Sequence, residues 1–197
     1  VAPIPVALSF LSLSSSGTRL RKTQQSSLAY STFSLYNLGK DLAGQVNGTT
    51  YTDCHALSDY ASAAAYNSST AHFVMSFMNL VPNTPGIPSV GHEVILYNGG
   101  DNGFASQFQN TVDDGPNGNC DQSHHFAAFL EFGYQFGAAA GVTEANVLEI
   151  WQSFKNGGPI NQGDILLGEM AAQLGAALRS GTATISYALK QIQGPCK

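Results

Sequence analysis

The chain has 197 residues, 43% of them hydrophobic, which suits one domain with a sizeable core. Eight basic against thirteen acidic residues give a net charge of −5, and no Lys/Arg cluster occurs, which excludes a basic nucleic-acid module. Only 11% of residues are charged, under half of the roughly 25% usual in soluble domains, which excludes a coiled coil or an acidic disordered tail.

Residues 1–13 form an apolar run, with Val1, Ile4, Val6, Leu8, Phe10, Leu11 and Leu13. Pro3 and Pro5 predict an extended arm, and the run is too short to cross a bilayer as a helix. Residues 14–27 are rich in Ser, Thr and Gln and read as a polar linker. This divides the chain into an arm and linker over 1–23 and a helical domain over 24–197. The start at Val1 without an initiator Met and the polar, uncharged surface predict an exported, processed protein, extracytoplasmic or secreted.

Apolar residues at helical spacing predict a first helix over about 24–46, stopped by Gly48. A second helix is predicted from Asp53, as N-cap, to about Asn67, and a third over 69–80, halted by Pro82. Residues 82–120 carry four prolines and seven glycines and predict a long irregular insertion. Its regular pieces are a short strand over Glu93–Tyr97 and a turn of helix near Phe104. Helical spacing resumes at Asp121 and runs to Ala140, where Gly141 and Thr143 predict a break. A helix over Thr143–Phe154, another capped by Asp164 and reaching Leu178, and a last one over Thr182–Ile192 complete the chain. The fold class is all-α: a single compact bundle of about six or seven helices.

Three cysteines occur, Cys54, Cys120 and Cys196, without metal-ribbon spacing. Cys54–Cys196 is the preferred disulfide, because it pins a terminus and Cys120 sits in a Gly/Asn loop. Gly168, Ala172 and Gly175 form one small-residue stripe, and Gly133 and Gly137 another. Small residues so spaced let two helix backbones approach, so these two helices are expected to cross.

The strongest chemical feature is Asp121-Gln-Ser-His124-His125-Phe126. Asp121, His124, Ala128 and Glu131 share one stripe, which sets an imidazole between two carboxylates, the minimum for general-base work or divalent-metal ligation. Asp121, His124 and Glu131 are therefore the candidate catalytic residues, and His124, His125, Asp121 and Asp114 the candidate metal ligands. The competing reading makes Asp121 a helix cap and His125, on a face with Phe129, Phe132 and Phe136, a hydrogen-bonded core residue. No cofactor is required by the sequence. Asn117–Asp121 imitates a calcium loop, but the twelfth position is Ala128, not a carboxylate. A nucleophile elbow, a phosphate loop and a βαβ alternation are all absent.

Two functions follow. The first is a non-enzymatic extracytoplasmic structural or docking module, which meets a protein partner or a second copy through its apolar arm. The second is a secreted hydrolase or metal-dependent enzyme that uses the Asp/His/Glu cluster. Neither reading involves nucleic acid or a transmembrane segment.

Overall fold

The computed structural model of the chain describes residues 32–46, 50–81, 103–109 and 122–196. Among them are seven α-helices: α1 Thr32–Ala43, α2 Asp53–Ala64, α3 Thr70–Ser76, α4 Gln122–Phe136, α5 Ala138–Asn156, α6 Gln162–Ser180 and α7 Ile185–Gln193. Short 3-10 turns at Phe77–Leu80 and Ser106–Phe108 complete the regular structure, and the described residues contain no strand. The protein is an all-α bundle. The apolar arm, its linker, the Glu93–Tyr97 segment, Cys120, Asp114 and Asp121 lie outside the described residues.

Side-chain caps start several helices. The Thr52 hydroxyl, not Asp53, caps α2 by accepting from the His55 amide, while Asp53 occupies the first turn. Ser69 caps α3 through the His72 amide, and Thr184 caps α7 through that of Tyr187. The cap of α6 is Asn161, whose Oδ1 accepts from the Gly163 amide at 3.1 Å. Asp164, expected as that cap, instead lies in the first turn of α6 and is buried. Each such cap satisfies an amide that the helix itself leaves unpaired.

The break after α4 falls at Gly137, four residues before the expected one. Gly137 has φ 91°, a backbone conformation that favours glycine. Gly141 and Thr143 lie inside α5. A Cβ on Gly141 would sit 2.5 Å from that of Ala172, so Gly141 is kept for packing rather than for a turn.

The core is one cluster with two kinds of packing. Tyr60, Phe73, Phe77 and Phe126 form an aromatic cluster with ring centroids 5.3–6.4 Å apart, largely edge-on. The Tyr60 hydroxyl donates to the Ser76 carbonyl and accepts from Asn79, so its polar atom is satisfied inside the core. In the second, α4 and α6 cross in close contact. A Cβ at Gly133 would lie 2.0 Å from the Ala172 carbonyl oxygen, and one at Gly175 would lie 2.0 Å from that of Leu130. The two small-residue stripes do meet, except that Gly137 serves the turn.

Gly175→Ala is therefore expected to destabilise the protein by about 1–3 kcal/mol. This holds even though alanine is the better helix former by about 1 kcal/mol. Urea melts check it, and an unchanged midpoint would mean that the two backbones can separate without cost.

The C-terminus is locked to the start of α2 by the Cys54–Cys196 disulfide. Cys196 also pairs in an isolated antiparallel bridge with Phe104, and the Ala105 amide donates to the Pro195 carbonyl. The short segment 103–109 is thereby tied to the far end of the chain.

Candidate metal centre

The buried face of α4 begins at its first turn, where Gln122, Ser123, His125 and Phe126 all point inward. The His125 ring packs on Phe129, one turn later, with centroids 4.7 Å apart. Residue 168, packed against the ring edge, is glycine. A Cβ there would meet His125 Nε2 at 2.9 Å. His125 Nε2 lies 2.8 Å from the Asp164 backbone carbonyl. A carbonyl can only accept, so Nε2 carries a proton, and Nδ1 is the ring atom that a cation would take.

Two carboxylates join this imidazole from the neighbouring helices. Glu149 lies on the inner face of α5, in line with Gly141 and Ala145, and Asp164 in the first turn of α6. Both are 2% exposed. One ligand atom from each of His125, Glu149 and Asp164 falls within 4.8 Å of the other two. Ligands around one divalent ion stand about 3–4 Å apart, so closing on an ion asks for a contraction of about an ångström.

The donor set fits such an ion. Two carboxylates buried together are costly to ionise, and a divalent cation offsets that cost. Imidazole and carboxylate donors suit zinc, manganese or ferrous ions better than soft cuprous ions.

The surroundings hold the three in place. Gln122 Nε2 donates to Asp164 Oδ1 at 2.6 Å and to the Phe108 carbonyl at 2.8 Å. On the far side of the Gln122 amide, Oε1 is buried and has no hydrogen-bond partner among the described residues. Segment 103–109 lies against the start of α6, where a Cβ at Gly163 would collide with the Gln109 carbonyl. Asn146 on α5 donates to Glu169 on α6 at 2.8 Å and braces the two helices that supply the carboxylates.

Of the sequence candidates, His125 is part of this group. Among the described residues His124 and Glu131 join no group of three possible ligands. Glu131 is partly exposed, and burial raises its carboxyl above the ordinary range while a bond with Gln135 opposes that. Glu169 accepts from Asn146 of α5 and joins no such group among the described residues. Glu149 is not among the sequence candidates, and Asp164 enters there only as a helix cap. No family model, curated protein or solved structure matches this chain.

Proposed function

We propose that the chain is a divalent-metal-dependent enzyme of hydrolytic type, its ion held by His125, Glu149 and Asp164. The observation that carries this reading is the convergence of one imidazole and two buried carboxylates from three helices within 4.8 Å. Three protein ligands leave a coordination position for water or substrate, the usual arrangement of a catalytic rather than a structural site. A bound ion there supplies a Lewis acid and a water acidic enough to attack at neutral pH. The chain's own part is to fix the imidazole through the Asp164 carbonyl and to present two carboxylates.

Protein stripped with chelator and titrated with zinc or manganese is expected to bind one ion. At a hundredfold excess over Kd, binding should add about 2.7 kcal/mol of stability. Glu149→Gln and Asp164→Asn should each remove most of that gain. Wild-type protein that takes up neither metal would overturn the assignment.

The extracytoplasmic location belongs to the same proposal. The Cys54–Cys196 pair supports it, because disulfides persist in oxidising compartments. No described helix is long and apolar enough to cross a membrane.

One observation favours the docking reading as a second role. Val147, Ile150, Trp151 and Phe154 stand on the outer face of α5 with exposures of 53, 55, 55 and 87%. The spacing i, i+3, i+4, i+7 makes them one continuous apolar stripe. A second copy of the chain is the simplest occupant, since a two-fold contact matches one patch with itself. Light scattering should then report a dimer that Trp151→Glu converts to a monomer. A monomeric wild-type protein would remove this role and leave the metal site untouched.

A further inference from the structure

We infer that Gln122 is the positioning residue of the proposed metal site, orienting the Asp164 carboxylate through Nε2. This rests on the metal reading and deepens it. The orientation of the amide is settled by its partners. Nε2 lies 2.6 Å from Asp164 Oδ1 and 2.8 Å from the Phe108 carbonyl, both of which only accept when the carboxylate is ionised. The amino group must therefore face them, and Oε1 must face away. Gln122 is wholly buried, and Oε1 has no hydrogen-bond partner among the described residues.

The Gln122 amino group fixes the direction of the Asp164 carboxylate, one of the three possible ligands. Second-layer partners of this kind fix ligand direction, and their loss typically weakens metal binding about 10–100-fold.

The test compares zinc affinity and the visible spectrum of the cobalt-substituted protein across variants. Gln122→Met keeps the length of the side chain and removes both polar atoms. It is expected to weaken zinc binding at least about tenfold and to alter the cobalt bands, which report ligand geometry. Gln122→Asn keeps the amide but withdraws it by one methylene, and should weaken binding in the same direction if the Met variant does not fold. Gln109→Leu serves as the control. It removes the Gln109–Phe104 hydrogen bond within the same 103–109 segment without touching Asp164, and should leave zinc affinity unchanged.

Equal affinity and an unchanged spectrum in the Gln122 variants would overturn the inference while leaving the metal site standing. Equal weakening by Gln109→Leu would overturn it too, because the effect would then come from the segment. Wild-type protein that binds no metal would defeat the site itself, and this inference with it.

Discussion

Reduction of the Cys54–Cys196 disulfide, or its removal by Cys196→Ala, is expected to lower stability by about 4–5 kcal/mol. The cysteines are 142 residues apart, so the cross-link removes a large closure entropy from the unfolded chain. A folded domain commonly has only about 5–15 kcal/mol in total, so the reduced protein should be marginal. Urea melts with and without a phosphine reductant measure the difference. A change below 1 kcal/mol would mean that the unfolded chain stays compact near these two positions without the bond.

Asp53→Asn is expected to stabilise the protein at pH 8 by up to about 4 kcal/mol and to have little effect near pH 4. Asp53 is 1% exposed, and its Oδ1 has no hydrogen-bond partner among the described residues. Burial pushes its carboxyl up to about 7, against 3.8 in the unfolded chain. Between those values the folded state binds a proton that the unfolded state has lost. Stability is therefore full below about pH 4, falls as pH rises toward 7 and levels off above it. The asparagine variant lacks that dependence, so the difference between the two proteins should open across this window. Parallel curves from pH 4 to 8 would mean that Asp53 is ionised in the folded protein throughout.

The helices are legible because their apolar residues recur at helical spacing, and the α4–α6 crossing because Gly133, Gly168, Ala172 and Gly175 are small at helical spacing. The exact break after α4 is not. Gly137 and Gly141 look alike in sequence, and only the nearness of Ala172 decides which one stays helical. His125 was read as a core residue and, separately, as a possible ligand, and it is both buried and adjacent to two carboxylates. Glu149 was invisible because its partners lie on other helices and no local spacing joins them. One signal was available: Glu149 continues the small-residue line Gly141–Ala145, so it had to face inward. Asp164 was mistaken for a cap because the true cap, Asn161, lies three residues earlier in a Gly/Pro turn.

The sulfur bridge also closes the polypeptide into a covalent ring from Cys54 to Cys196, and His125, Glu149, Asp164 and Gln122 all lie within it. A single peptide bond cut anywhere in that ring opens the chain without releasing a piece of it. A protein nicked once would migrate as one band until a reductant is added. Its fragments, held together by sulfur and by the α4–α6 contact, would keep the three metal ligands in one particle. A protease must cut twice to carry any of them away.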